Sequence, residues 1–255
     1  MRKLICLCLL GFTISSSSIA QEVKSEYKKL AQLYSQGKYE SCLLKADNYT
    51  YKEDNAIDAE PYLYVAMCYY QLSISEDPII KEDYKDGYKQ ALKYAAKFVK
   101  KDKEGKLYEE NIEFINLLKV ELNKEITTQF EKADYRKVIV AAKQLDKLNR
   151  EPDYGLLYFT GINEIMSNNQ SQGAKSMEQA KNKLQEMIKN QSITFNSDTK
   201  SWLISGFLKY SEFLINKGTL KEASDVLLFG FKLFPDDGYL KLQSNAVNQK
   251  INSTK

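Results

Sequence analysis

The stretch from Trp202 to Asp236 constrains the fold most, because it reads as one complete helix–turn–helix unit. Its first half places apolar residues three and four positions apart, which puts them on one face of a helix. Gly218 then interrupts the pattern, where a tight turn between two helices needs a left-handed residue. The second half carries small side chains at Ala223 and Gly230, so another helix can approach closely there. Pro235 ends the unit, because proline cannot continue a helix.

This order of features resembles a tetratricopeptide repeat, a helical hairpin of about 34 residues, and Ser211 occupies its small position in the first helix. A second close copy runs from Val23 to Asp47, with Gly37 at the turn and the small residues Cys42 and Ala46 after it. Weaker copies lie between these two, with helices predicted from Pro61, at Tyr84–Lys101, at Leu107–Lys132, at Tyr135–Leu148 and from Tyr154.

The resemblance implies an all-α fold, an α-α superhelix of about five helical hairpins that covers residues 21–251. A capping helix from Tyr239 to Ile251 is expected to close it, and residues 252–255 are expected to fray. An unrelated bundle of paired helices is the alternative, since it would share the amphipathic pattern without the superhelix. Two departures are the insertion around Pro78 and the polar segment from Ser167 to Gly173, which we expect to be a flexible loop.

Residues 1–20 have the pattern of a secretory signal peptide. Arg2 and Lys3 precede an apolar run from Leu4 to Ile14, and Ser18 to Ala20 offers small residues for cleavage. The run is too short to span a membrane. We therefore expect an exported protein, periplasmic or associated with the outer membrane, with secretion as a further option and no membrane span after cleavage. A short amphiphilic anchor that stays attached is the alternative, and the absence of a suitably placed cysteine disfavours a lipid anchor.

The formal charge argues against a nucleic-acid partner. The full chain carries +3, and removal of Arg2 and Lys3 would leave it nearly neutral. Nucleic-acid binding needs a clustered basic surface that displaces counterions from phosphates. The lysines of this sequence are interleaved with acidic residues in helical segments, which is typical of solvated helix faces.

The inventory of reactive residues predicts no catalytic site, no cofactor and no metal. The chain contains no histidine, which excludes histidine acid–base catalysis and zinc sites with imidazole ligands. No glycine-rich phosphate loop is present. The carboxylate pairs Glu76–Asp77 and Asp236–Asp237 could share acid–base work. Adjacent carboxylates beside a proline are nevertheless more typical of helix caps or solvated turns.

Two cysteines, Cys42 and Cys68, follow the predicted signal peptide. They fall on helices expected to be neighbours, and an exported chain meets an oxidising compartment, so a disulfide is one outcome. The other is two buried thiols that act as compact apolar side chains.

Binding by shape is the function that the resemblance implies. In tetratricopeptide proteins, the first helices of successive hairpins line a concave groove that holds a partner peptide or helix. When the pattern is mapped onto this sequence, it assigns seven residues to that groove, namely Tyr27, Tyr34, Met67, Tyr70, Tyr158, Ile162 and Leu208. We therefore expect a non-enzymatic interaction scaffold or adaptor in the bacterial cell envelope, with an unidentified protein partner.

Two alternatives remain open at the level of sequence. One is an outer-membrane biogenesis or secretion-machinery component similar to five-repeat tetratricopeptide lipoproteins. The other is a small-ligand receptor or an enzyme built on a helical solenoid, which would require a pocket with convergent polar groups.

Overall fold

The computed structural model describes residues 27–52 and 57–253, so the predicted signal peptide lies outside the described residues. Within these ranges the chain forms thirteen α-helices and no strand. In chain order they are α1 (Lys28–Ser35), α2 (Tyr39–Tyr51), α3 (Glu60–Ser73), α4 (Pro78–Asp83), α5 (Gly87–Lys101), α6 (Lys106–Glu110), α7 (Ile112–Glu131), α8 (Tyr135–Lys147), α9 (Tyr154–Met166), α10 (Gln170–Lys189), α11 (Ser197–Asn216), α12 (Leu220–Leu233) and α13 (Gly238–Ser253).

Ten of these helices pair into five hairpins, α1–α2, α3–α5, α7–α8, α9–α10 and α11–α12. Each hairpin packs mainly on its neighbours along the chain, through α2 on α3, α5 on α8, α8 on α9 and α9 on α11. The helix α13 covers α11 and α12 as the last layer and extends to Ser253, two residues beyond its predicted end. The prediction of an all-α superhelix of hairpins with a C-terminal capping helix is confirmed.

Four hairpin turns share one backbone geometry. Each has a left-handed residue, Gly37 (φ 69°), Ala133 (φ 56°), Asn168 (φ 69°) or Gly218 (φ 79°). The amide of the residue after it donates to a carbonyl five residues back, as in the 3.0 Å bond from the Lys38 amide to the Leu33 carbonyl. This bond satisfies a carbonyl that the helix end would otherwise leave unpaired.

The structure has a tight turn at Asn168 where the sequence predicts a flexible loop from Ser167 to Gly173, so that prediction is wrong. Asparagine adopts the left-handed conformation more readily than most residues, so it closes this turn in place of glycine. The connection is short, and α10 begins at Gln170. Of the residues predicted as loop, Gln170, Ser171 and Gln172 form the exposed first turn of that helix.

The predicted helix Leu107–Lys132 is two helices, because the backbone leaves helical geometry at Asn111 (φ −118°). The Asn111 side-chain amide donates to the Leu107 carbonyl at 2.8 Å, so the residue caps the short α6 as α7 begins. Side-chain capping of this kind competes with a continuous helix.

The carboxylate pairs are helix caps, as expected. Asp77 Oδ1 accepts the Ile79 amide at 2.8 Å and starts α4, the helical turn within the insertion around Pro78. Asp237 Oδ1 accepts the Leu240 amide at 2.9 Å at the start of α13. A carboxylate in this position satisfies an amide that has no partner inside the helix.

Helices α9 and α10 approach each other closely at two glycines. A methyl group on Gly161 would lie 2.9 Å from the Gly173 carbonyl oxygen, and one on Gly173 would lie 2.6 Å from the Gly161 carbonyl oxygen. Beside this crossing the buried Glu164 carboxylate contacts Lys143 Nζ at 2.6 Å and accepts the Ser176 hydroxyl at 2.8 Å. One carboxylate therefore joins α8, α9 and α10.

Cys42 and Cys68 are both free and both buried, so the two-thiol alternative describes this structure. Cys42 Sγ donates to the Leu30 carbonyl at 3.5 Å, which ties α2 to α1. The hydrogen bond with the Cys42 thiol, together with burial, raises the pKa of the Cys68 thiol. Among the helices of the described residues, none combines the length and apolar character that crossing a membrane requires.

Candidate functional site

Three of the seven residues predicted for the partner groove lie in the core. Tyr27, Tyr158 and Ile162 are 0%, 2% and 0% exposed, so none of them can contact a partner in this conformation. The Tyr27 hydroxyl donates to Asp58 at 2.7 Å. Tyr158 lies between the rings of Phe207 and Phe229, each centroid at 5.3 Å. The groove assignment is therefore wrong for these three residues.

Helix α11 packs over α9, where the Tyr158 ring contacts Phe207 and Ile162 lies close to Gly206, and α11 is also linked directly to α7. Trp202 Nε1 donates to Thr127 Oγ1 at 3.0 Å, and Lys209 Nζ donates to the Phe130 carbonyl at 3.0 Å. The Trp202 ring also stacks on Phe159, at a centroid distance of 6.0 Å. Thus α7, α9 and α11 contact one another, and from Gly155 to Ile165 every residue except the half-buried Leu157 is buried.

The other four predicted residues, Tyr34, Met67, Tyr70 and Leu208, are half-buried. Tyr34 packs against the rings of Tyr39 and Tyr64, and burial raises its pKa to about 12. These four residues do not meet in one site, since Leu208 belongs to α11 and the others belong to the first two hairpins. Among them, Tyr70 lines a cleft between two hairpins.

This tyrosine cleft has a volume of about 470 Å³ and lies between α3, the start of α5, and α7. Its walls are Tyr70, Ser73, Ile74, Lys85, Tyr88, Glu121, Lys124, Glu125, Thr128 and Gln129. Tyr70 is fixed by the edge of the Phe114 ring at 6.1 Å, and Ile74 is 52% exposed. Gly87 positions Tyr88, because a methyl group there would lie 2.8 Å from the Tyr69 carbonyl oxygen and would push α5 away from α3.

The hydroxyl oxygen of Tyr88 is the atom of the tyrosine cleft that most directly indicates a binding role. This oxygen is buried and has no hydrogen-bond partner among the described residues. Burial raises the pKa of Tyr88, and the nearby carboxylates of Glu125 and Glu121 raise it further. The phenol therefore stays protonated at neutral pH and keeps a hydrogen to donate. Buried polar groups in native proteins are nearly always paired, so this one indicates a missing acceptor.

The charges around the cleft are of both signs. Lys124 Nζ bonds Glu121 at 2.8 Å and Lys85 Nζ bonds Glu82 at 2.8 Å, so both lysines are paired. Glu125, in contrast, has no cation within ion-pair distance in the part of the chain that the structure describes. The cleft thus combines a phenol donor and a carboxylate that lacks a cation with an exposed apolar side chain.

The apolar surface continues along α7. Leu117 is 39% exposed and Val120 is 49% exposed. Leu117 shares a helix face with Lys124 and Thr128, because residues seven and eleven positions apart lie nearly in line on an α-helix. The sequence assigns neither Tyr88 nor any residue of α7 to the partner site. The available signal was Gly87, a glycine within a helical pattern directly before an aromatic residue.

Comparison with known proteins finds no family model and no curated protein that matches this chain. Within residues 27–52 and 57–253, no three side chains of His, Cys, Asp or Glu are grouped so that they could hold a metal ion.

Proposed function

We propose that this protein is a non-enzymatic interaction scaffold of the tetratricopeptide type, exported to the bacterial cell envelope, and that the tyrosine cleft receives a segment of its polypeptide partner. Export rests on the signal-peptide pattern of residues 1–20. The observation that carries the binding role is the buried hydroxyl of Tyr88, which lacks an acceptor inside a cleft between two hairpins.

The lining of the cleft favours a particular kind of segment. The Tyr88 hydroxyl can donate to a main-chain carbonyl, while Tyr70 and Ile74 offer an aromatic and an aliphatic surface to one apolar side chain. Glu125 favours a lysine or arginine beside that residue. Aromatic side chains at such positions contribute much of the binding energy in protein interfaces. The partner segment is therefore apolar at one position and basic at the next.

Selection from a peptide-display library on purified protein, followed by titration of the enriched peptides, tests this role. Tyr88→Phe removes only the hydroxyl, and loss of one hydrogen bond of about 1 kcal/mol weakens binding roughly fivefold. Tyr70→Ala removes the aromatic wall and weakens binding further. The matched control is Tyr239→Phe, because Tyr239 is 73% exposed and remote in sequence. Enriched peptides that bind both phenylalanine variants and wild type equally would contradict the proposal.

A small-ligand receptor is the second candidate, because a cleft of about 470 Å³ with an unpaired donor also fits a compact molecule. A library that yields no peptide dependent on Tyr70, while a small molecule protects Tyr70 and Tyr88 in solution, would favour this candidate over the scaffold.

A further inference from the structure

Positive charge is concentrated in one helix of a chain whose overall charge is nearly balanced. The full sequence has 37 basic and 34 acidic residues. The helix α5, GYKQALKYAAKFVKK, nevertheless contains five lysines and no acidic residue. These lysines are Lys89, Lys93, Lys97, Lys100 and Lys101. This segment contradicts the expectation, drawn from the sequence as a whole, that lysines alternate with carboxylates.

Three of those lysines line a second cleft, between α5 and α8, with a volume of about 660 Å³. This lysine cleft contains Lys93, Lys97, Lys100, Lys103, Lys147 and Arg150, together with Ala96, Val99, Asp102, Gln144 and Asn149. Lys93 and Lys100 are seven residues apart, about 10 Å along one face of the helix. None of these residues lines the tyrosine cleft.

The structure neutralises only one of these cations. The sole carboxylate in the lining, Asp102, is 7% exposed and accepts the Tyr108 amide at 2.7 Å. Arg150 lies 3.9 Å from it and donates to the carbonyls of Asp102 and Lys103 at 2.6 and 3.1 Å. In the described ranges this is the only ion pair at the cleft, so no carboxylate pairs with its five lysines, Lys93, Lys97, Lys100, Lys103 and Lys147. Two of them contact an aromatic ring instead, since Lys93 Nζ and Lys97 Nζ lie 5.7 and 4.6 Å from the centroid of the Tyr94 ring.

Compensation of helix dipoles does not account for the whole cluster. Lys100 lies in the last turn of α5 and Lys147 in the last turn of α8, where cations stabilise the C-terminal ends. That effect falls off within one turn. Lys93 and Lys97 lie beyond that turn, and they are exposed on the same side of the helix.

We propose that the lysine cleft binds a ligand that presents several phosphate groups in a row. Like charges around one concave surface repel one another where no carboxylate offsets them, and a polyanion in the cleft removes that repulsion. Lysine suits phosphate because its ammonium group is a compact point charge with three donors. The planar arginine fork, which binds carboxylates and phosphates alike, is already occupied here by main-chain carbonyls. The phosphates can belong to a soluble polyphosphate or to anionic lipid headgroups.

The test is calorimetric titration of the exported chain with sodium tripolyphosphate at low salt, alongside sedimentation with phosphatidylcholine vesicles with and without phosphatidylglycerol. The cleft variant is Lys100→Gln/Lys103→Gln/Lys147→Gln, which removes exposed ammonium groups that have no described partner. The control is Lys221→Gln/Lys232→Gln/Lys241→Gln, which changes the net charge equally at exposed positions of the last two helices. Circular dichroism checks that both variants fold.

We expect tripolyphosphate or the anionic vesicles to bind, with affinity that falls as salt is added. The cleft variant binds about tenfold more weakly, a loss of about 1.4 kcal/mol, and the control stays close to wild type. Binding to tripolyphosphate identifies a soluble source, and binding to the vesicles alone identifies headgroups. No binding in either arm, equal losses in both variants, or equally tight binding of polyglutamate would overturn the proposal. None of these outcomes depends on the tyrosine cleft.

Discussion

Replacement of Gly161 by alanine tests the packing on which the stacked hairpins depend. The added methyl carbon would lie 2.9 Å from both the Gly173 carbonyl oxygen and the Met177 amide nitrogen, and 2.6 Å from Met177 Cγ. Ordinary contacts begin at about 3.4 Å. The methionine side chain can move, but the two backbone atoms can retreat only if α9 and α10 separate by about half an ångström, which forfeits a substantial part of their dispersion contacts.

The magnitude follows from two opposing effects. Overpacking of a close helix contact costs up to about 3 kcal/mol. Alanine regains about 1 kcal/mol of helix propensity relative to glycine. The net destabilisation is about 2 kcal/mol, and for a chain of this size the melting temperature falls by about 4–8 °C. The same reasoning applies to Gly173→Ala, whose methyl group would lie 2.6 Å from the Gly161 carbonyl oxygen.

The assay is thermal unfolding followed by circular dichroism, with two glycine controls. At Gly238 an added methyl group meets no atom within 4 Å and φ is not positive, so Gly238→Ala should leave stability unchanged or slightly raised. At Gly218 an added methyl group makes no steric contact, but the backbone has φ 79°. Gly218→Ala therefore measures backbone strain without overpacking, and this strain should cost about 1 kcal/mol. The double variant at 161 and 173 should lose less than the sum of the single losses, because the first methyl group already separates the helices. A Gly161→Ala protein that melts at or above the Gly238→Ala protein would refute the reasoning.

Three further outcomes follow from the structure. Trp202→Phe removes the hydrogen bond to Thr127 and part of the ring stacked on Phe159, so it should lower the free energy of unfolding by about 1–3 kcal/mol. Hydrogen exchange should then show faster opening in α7 and α11. Unchanged exchange there would argue against the link between α7 and α11. Burial raises the pKa of Tyr34 from its ordinary 10.0 to about 12 and also raises those of Tyr64, Tyr88 and Tyr158. The folded chain favours the neutral phenols, so their contribution to the free energy of unfolding is complete below pH 10 and is lost as the pH rises towards 12 and beyond. Phenolate absorbance should therefore increase together with loss of helix. Full ionisation of these phenols near pH 10 with the helices intact would be inconsistent with their burial. Cys42 and Cys68 should react with a thiol reagent only after addition of denaturant, since both are buried and free, and rapid reaction in native buffer would contradict that placement.

Much of the architecture can be predicted from the sequence, because the hairpin signals are local. Gly37 and Gly218 mark two turns, and the apolar spacing marks the helices around them. The turns at Ala133 and Asn168 use the same backbone geometry without glycine. The helices predicted to end at Lys132 and to begin at Tyr135 leave a turn at Ala133, and the structure has that turn. Around Asn168, in contrast, the polar composition predicts a loop. The break at Asn111 was missed because it depends on a side-chain cap that helical periodicity does not record.

The candidate site was harder to predict, because exposure depends on which hairpins meet. Helical spacing places Tyr158 and Ile162 on the side of α9 that would face a groove, but it cannot show that α11 packs over that side. The tyrosine cleft forms between side chains from α3, α5 and α7. Only Tyr70 in it was predicted, since Tyr88 belongs to a second helix, which the repeat pattern assigns to packing.

Site-specific photocrosslinking in intact cells that produce the protein tests the central claim, that the surface around the tyrosine cleft binds a polypeptide partner. A photoreactive amino acid replaces Ile74 in the cleft or Leu117 on the adjoining surface of α7, and Leu228, which is 50% exposed on α12, serves as the matched control. We predict that positions 74 and 117 yield the same protein adduct, that Tyr88→Phe reduces its yield, and that position 228 does not give it. The absence of an adduct at both position 74 and position 117, or the same adduct at position 228 in equal yield, would contradict the account.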